Sequence, residues 1–255
     1  MEEASQICVI REFEGAQLGD VRRENRLREL ARMLALNPSA SFPTATKTDA
    51  ALEATYRLFR NKAVSMAGIL AGHYAQTVER AALEDVVLAV HDTTDFKFKG
   101  EGTRDGLGPL RGNGQGFFGH FSLLVQPGEE RRPLGVIAVQ TWTRPPKKQK
   151  ISKTRGQTLE AARWKKGAAC AEERLAGRCS VIHVMDREGD SYDLWAELIA
   201  AGSRFVIRNE EASARGRCPS VGRDFASRDG RDASGAAVWS SRTQRSLQSK
   251  AQPGS

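Results

Sequence analysis

The five residues Val86-Val87-Leu88-Ala89-Val90 form an uninterrupted apolar run that stops at His91-Asp92-Thr93-Thr94. A run this short, rich in valine and bounded by polar residues, is the pattern of a buried strand, and such a strand needs neighbours and cover. The neighbours are written downstream. Residues 117–125 read as a strand closed by Pro127-Gly128, residues 134–142 as another, and the short turn between them predicts an antiparallel hairpin. Residues 158–175 read as a helix and residues 181–185 as a strand ending in Asp186-Arg187-Glu188. Ser191 is placed to cap a helix carrying Leu194, Trp195, Leu198 and Ile199, Gly202 ends it, and Phe205-Val206-Ile207 is a further strand. The order strand, strand, strand, helix, strand, helix, strand predicts an α/β domain, a mixed sheet flanked by helices.

The first eighty residues carry a different period. Asp20 can cap a helix from Val21 in which Leu27, Leu30, Ala31 and Leu34 make one apolar stripe, and Asn37-Pro38 stops it. A second helix is expected from Thr48, with Leu52, Tyr56 and Phe59 on its inner face. A third is expected from near Ser65 through Ile69, Leu70, Tyr74 and Val78. The spacing thus predicts a small all-helical domain over 1–80 and a sheet domain over 81–208. From 209 to 255 only Val221, Phe225, Val238, Trp239 and Leu247 are strong hydrophobes, too few for a core, so this stretch is expected to be a disordered or out-of-frame tail.

Charge narrows the partners. The chain has 39 Lys and Arg against 31 Asp and Glu, a formal net charge of +8, which favours a polyanion, nucleic acid before membrane surface. Arg22, Arg23 and Arg26 lie off the apolar stripe of the first helix, and Arg57 and Arg60 lie on the second. A glycine-rich loop with Lys97 and Arg104 follows the first strand, a basic stretch with Arg144, Lys147 and Lys148 follows the hairpin, and Arg204 and Arg208 bracket the last strand. The acidic N-terminus has no long apolar run, and no stretch nears 18 apolar residues, which argues against a signal peptide or membrane span. Cys8, Cys170, Cys179 and Cys218 have neither zinc-knuckle spacing nor disulfide-scaffold density and read as reduced thiols of a cytoplasmic protein.

Asp92 and Asp186, 94 residues apart, each follow a strand, and in open α/β sheets ligands bind beyond the carboxyl ends of strands. Two such carboxylates can share a divalent ion with hard oxygen preference, Mg2+ or Mn2+, which keeps several waters when only two carboxylates hold it. A third carboxylate would allow two ions and phosphodiester chemistry. Basic loops beside the pair would hold a phosphate backbone. Glu188, two residues from Asp186, would point the same way in an extended segment and is a candidate to support the pair.

Several segments together resemble the IS4-type insertion-sequence transposases. They are Gly19-Asp20-Val21-Arg22-Arg23 with Arg26; Ala54-Thr55-Tyr56-Arg57-Leu58-Phe59-Arg60-Asn61; Val90-His91-Asp92-Thr93-Thr94; Gly116 to Ser122, including His120; Trp142-Thr143-Arg144-Pro145; Asp186-Arg187-Glu188-Gly189-Asp190; and Arg204-Phe205-Val206-Ile207-Arg208. The resemblance runs from about Phe13 to Arg208. It implies a helical domain that binds double-stranded DNA at transposon ends, followed by a ribonuclease-H-like domain that cleaves DNA and joins it to target DNA with Mg2+ or Mn2+. It also implies dimerisation of full-length relatives through a C-terminal helix, and a bacterial cytoplasmic protein found at the nucleoid when bound to DNA. Asp92 and Asp186 match the first two metal ligands, and His120 lies in a matching strand as a supporting residue. The family's Glu, in a Tyr-x2-Arg-x3-Glu segment, has no match after Arg208: Tyr192 is the last tyrosine, and Glu210 and Glu211 come too early. Three readings therefore stay open: an active cut-and-paste transposase, an inactive fragment that binds DNA or regulates a full-length partner, and a nuclease of related fold.

Overall fold

The computed structural model describes residues 8–100, 102–110, 114–145, 153–208 and 236–239, with the backbone alone at 153–161 and 236–239. The chain divides into two compact units, Met1–Arg80 and Ala81–Ser255. Among the described residues no helix is long and apolar enough to cross a membrane. Cys8, Cys170 and Cys179 are free thiols, and Cys218 lies outside the described residues.

The first unit is helical, with α1 (Val21–Leu36), a short α2 (Phe42–Thr46), α3 (Asp49–Arg60) and α4 (Met66–Ala81). Asp20 caps α1 by accepting the Arg22 backbone N–H at 2.8 Å, and Thr48 caps α3 by accepting from Ala51. Leu27, Leu30 and Ala31 are buried along α1, and Leu34 is half-buried. The core joins Ala16, Leu18, Leu27 and Leu58, with Phe13, Val64 and Ile69 against it. Helix α3 presents a different face from the expected one: Thr55 and Leu58 are buried, while Tyr56 and Phe59 are 40% and 44% exposed. Phe59 instead stacks on Phe42 of α2, rings 5.7 Å apart, so an unexpected short helix takes up the aromatic stripe at the surface. Two glycines let the segment before α1 lie on α4. A methyl at Gly72 would come 2.1 Å from the Glu14 carbonyl oxygen, and one at Gly68 would come 2.4 Å from that of Gln17. The Gln17 N–H donates to the Gly68 carbonyl at 2.8 Å. Glu12 then accepts from Arg80 at 2.5 Å and pairs with His73 at 2.6 Å. Burial raises the Glu12 carboxyl, but these two partners outweigh it and hold it below the usual range.

The second unit is a mixed sheet built from β1 (Val86–Phe98), β2 (Gly108–Pro109), β3 (Gln115–Val125), β4 (Pro133–Trp142), β5 (Ser180–Met185), β6 (Arg204–Arg208) and β7 (Ala236–Trp239). Strand β3 pairs antiparallel with both β4 and β1, β5 and β6 continue the sheet parallel to β1, and β2 pairs antiparallel with the first residues of β3. An antiparallel meander extended by parallel strands through helical crossovers is a ribonuclease-H-like sheet. Helices α5 (Lys153–Leu175) and α6 (Tyr192–Ala200) supply the crossovers, and both pack on one face. There Trp164 and Ala168 of α5 meet Met185, Leu194, Leu198, Phe205 and Ile207. On the other face Leu88, Val90, Leu123, Ile182, Val184 and Val206 are half-buried. At the far edge, β7 pairs antiparallel with β6. This strand falls inside the stretch expected from composition to lack structure. It needs only four residues, Val238 and Trp239 among them, because β6 offers an open edge.

Candidate functional site

The structure corrects the position of Asp92. Strand β1 does not end there but runs on to Phe98, since beyond Val90 it keeps β3 as its partner down to Phe98↔Gln115. The polar segment Asp92-Thr93-Thr94-Asp95 is turn-like in composition, yet the cross-strand ladder holds it extended. The partner that leaves is β5, whose last pairing with β1 is Val90↔Val184. Asp92 and Asp186 are each two residues beyond that pair, so they occupy corresponding positions where the sheet forks. Neighbouring strands are about 4.8 Å apart before they diverge. Past β5 the chain enters a 3-10 turn, Arg187–Gly189, which Asp186 caps by accepting the Glu188 N–H on Oδ1 at 2.8 Å. Glu188 is thus in a tight turn, not in the extended segment expected for it.

His120 lies on β3 across from Thr93, and the Thr93 hydroxyl and His120 Nδ1 are 2.9 Å apart. Burial first, and then the Arg163 guanidinium, hold its imidazole down at about 4, although Glu188 and Asp186 pull the other way. It is therefore neutral near pH 7. Its Nε2 is buried without a hydrogen-bond partner, and its ring edge meets Trp164 with centroids 4.8 Å apart.

Beside it runs a polar chain that the sequence reading missed. Ser122 Oγ lies 2.8 Å from His91 Nδ1, His91 Nε2 lies 3.0 Å from His183 Nδ1, and His183 Nε2 lies 3.2 Å from Glu172 Oε1. The chain crosses β3, β1 and β5 and ends on α5. Burial, then the neighbouring His183 and His120, push His91 well below its ordinary value, while the His183 hydrogen bond lowers Glu172. Three of the four histidines converge here. Their sequence signal was a polar residue set into an apolar run: His183 within 181–185, and His91 at the end of 86–90. A satisfied buried network of this kind fixes strand register more sharply than apolar packing does. Gly167 of α5 makes room for it, since a methyl there would stand 3.0 Å from Ser122 Oγ and 3.2 Å from both His120 and His91.

Two carboxylates at a fork are the right kind of donor for Mg2+ or Mn2+. Among the described residues, no group of three or more His, Cys, Asp or Glu is arranged to hold a metal ion. Two carboxylates alone do not complete a two-ion centre, so no cleavage step follows from them.

The basic residues divide by environment. Arg22 is 87% exposed and reaches back to Asp20 at 3.1 Å. Arg23 is partly buried and donates to the Leu18 carbonyl at 2.8 Å, so it also holds the helical unit together. Arg26 is half-buried on α1. Arg57 pairs with Glu53 at 3.0 Å, and Arg60 lies over the Tyr56 ring. In the sheet unit Lys97 and Arg208 are exposed and Arg204 is half-buried. Arg104 donates to the Lys99 carbonyl at 3.0 Å. Arg144 lies 4.6 Å from the centre of the Phe118 ring, which stacks on Trp142, and Arg163 lies 3.7 Å over Trp142. Lys147 and Lys148 lie outside the described residues.

Among solved structures, the chain is similar to a Mos1 transposase paired-end complex with left transposon end, at 12% identity and a TM-score of 0.26, over 73% of this chain and 59% of that one. It is also similar to a Mos1 strand transfer complex, at 13% identity and a TM-score of 0.26, over 74% and 58%. The chain thus spans less than two thirds of the length of either protein. Residues 6–64, which hold α1, α2 and α3, match the family model described as "Transposase DNA-binding", so the helical unit is similar to the DNA-binding domain of transposases.

Proposed function

We propose that this chain is a transposase-related DNA-binding protein whose helical unit holds double-stranded DNA and whose sheet unit carries an incomplete catalytic centre. The observation that carries the reading is the match of residues 6–64 to the transposase DNA-binding family, in a chain of net charge +8. In finer detail, the motif order resembles that of IS4-type transposases, the Tn5 transposase among them, which makes transposon ends the proposed duplex. Asp92 and Asp186 take the places of the first two metal ligands, with Mg2+ or Mn2+ as the proposed ion. DNA cleavage and strand transfer by these described residues alone are then expected to be absent or very slow, because no third carboxylate joins the pair among them. Binding without cleavage, or interference with a complete relative, is the activity that the arrangement supports best.

The test is duplex binding by fluorescence anisotropy as salt is raised. Each phosphate contact contributes about 0.9 to the slope of log affinity against log salt. Arg22 and Arg57 are the exposed pair to change, since Arg23 also anchors the Leu18 carbonyl. The double change Arg22→Ala with Arg57→Ala is expected to weaken binding and reduce the slope by about 2. An unchanged affinity and slope would place the DNA elsewhere.

A further inference from the structure

We propose that the outward face of the β1–β3 ribbon, beginning at Asp92, stacks the unpaired bases of a single DNA strand on Phe96, Phe98 and Phe117. The proposal rests on the reading of the chain as a DNA-binding protein and adds to it a second, distinct DNA site. The register assembles the face. Asp92, Thr94, Phe96 and Phe98 alternate onto one side of β1, and their cross-strand partners are Phe121, Gly119, Phe117 and Gln115. Phe121 therefore stands directly across from Asp92, and the aromatic strip continues from there to the end of the ribbon.

The rings form one surface. Phe96 and Phe117 are stacked with centroids 4.7 Å apart and planes 15° from parallel, Phe98 lies 6.0 Å from Phe117, and Phe96 lies 6.1 Å from Phe121. Gly119 makes the strip continuous, since a methyl there would come 2.7 Å from the Phe121 ring and 2.9 Å from the Phe96 ring. The strip is not a core. Phe96 and Phe98 leave 37% and 39% of their surface exposed, and Phe117 and Phe121 are half-buried. On the opposite side of the same two strands, Ala89, His91, Phe118, His120, Ser122 and Leu124 are buried.

The occupant follows from the alternation Phe96-Lys97-Phe98-Lys99. The strand pleat sends the rings one way and the lysines the other, and Lys97 and Lys99 are exposed. Flat rings on one face of a narrow ribbon, with long cationic side chains on its other face within reach of a backbone that wraps the edge, match a strand with stackable bases and charged phosphates. A duplex hides its base faces within its own stack and cannot use these rings.

The full chain is tested with a single-stranded oligothymidine carrying one central 2-aminopurine, read by both anisotropy and base fluorescence. Stacking on phenylalanine is expected to change the 2-aminopurine emission on binding. Phe98→Ala is expected to weaken single-strand binding between about 5-fold and 100-fold, the value of one lost stacked base. Phe98→Trp is expected to restore binding, and Lys97→Gln with Lys99→Gln is expected to flatten its salt dependence. Phe98 ends its strand, so its change leaves the rest of the ladder in place; Phe96→Ala, checked for an unaltered circular dichroism spectrum, is expected to act in the same direction. Unchanged emission in the parent, or equal single-strand affinity in parent and Phe98→Ala, overturns the proposal. If duplex binding persists and still depends on Arg22 and Arg57 in that case, only the ribbon site has failed. If neither duplex nor single strand binds, the DNA-binding reading has failed with it.

Discussion

Mild acid should loosen the sheet unit through His120. In the folded chain, burial and the nearby Arg163 guanidinium hold this imidazole at about 4, against an ordinary value of 6.5. Its folded value is depressed, so the unfolded chain binds the proton first. The associated stability is complete above pH 6.5 and is lost as the pH falls from 6.5 towards 4. Each unit of difference corresponds to about 1.4 kcal/mol, which makes the full loss about 3.4 kcal/mol, with about 2 kcal/mol of it gone by pH 5. His91, also depressed by burial, acts in the same direction. Asp186 and Glu188 are the carboxylates that favour the protonated form, and they are already included in the value of about 4. The control is His120→Asn, which keeps a polar atom near the Thr93 hydroxyl and cannot titrate. Urea unfolding at pH 7.5 and pH 5, followed by tryptophan fluorescence because Trp164 packs on this ring, gives the loss for each protein. The parent is expected to lose about 2 kcal/mol more than the variant between the two pH values. Equal losses would mean that His120 is solvated or charged in the folded chain, and the argument from burial would be wrong.

Two further outcomes follow from other parts of the molecule. Gly72→Ala should gain about 1 kcal/mol of helix propensity but force the Glu14 carbonyl away from α4; with overpacking costing about 1–3 kcal/mol, a net destabilisation is expected in urea unfolding, and a stabilised variant would show that the approach is looser than 2.1 Å. A titration of Mn2+ followed by its electron spin resonance signal should show one weak site, lost in both Asp92→Asn and Asp186→Asn; binding equal to the parent in both variants would remove the pair as a metal site.

The sheet was legible where its signals are local. The segment Val181–Met185 became β5 to within one residue, and the run Val86–Val90 marked the start of β1, which continues eight residues further to Phe98. The cap at Asp20 was legible for the same reason: a side-chain oxygen two residues before the N–H that donates to it needs no distant partner. Other features were hidden because they depend on pairing. Nothing in Asp92-Thr93-Thr94-Asp95 announces a strand until β3 lies alongside it. Helix α3 has apolar residues on more than one side, and only packing decides that Thr55 and Leu58 go inward. The buried histidine chain could be suspected from His91 and His183 as misplaced polar residues. Its connection to Ser122 and Glu172, however, needed the register of three strands and the position of α5.

The fork in the sheet decides how the ion proposed at Asp92 and Asp186 would be held. Up to Val90 and Val184 the two strands are locked, both by their ladder and by the His91–His183 hydrogen bond one residue before Asp92. Beyond that point β1 stays with β3 while the chain after β5 turns away, so the edge of β1 that faced β5 is left without that ladder partner. An opening with ordered walls is where a ligand enters an α/β sheet. The same turn that opens the fork also takes up part of the donor set. Asp186 Oδ1 accepts the Glu188 N–H to close the 3-10 turn, which leaves Oδ2 as the oxygen outside that bond. A divalent ion seated here would compete with the turn for one carboxylate, and Mg2+ gives up its waters reluctantly. An ion that binds only by loosening the Arg187–Gly189 turn would bind weakly however well Asp92 is placed. Holding it tightly requires another oxygen donor brought in from a separate element.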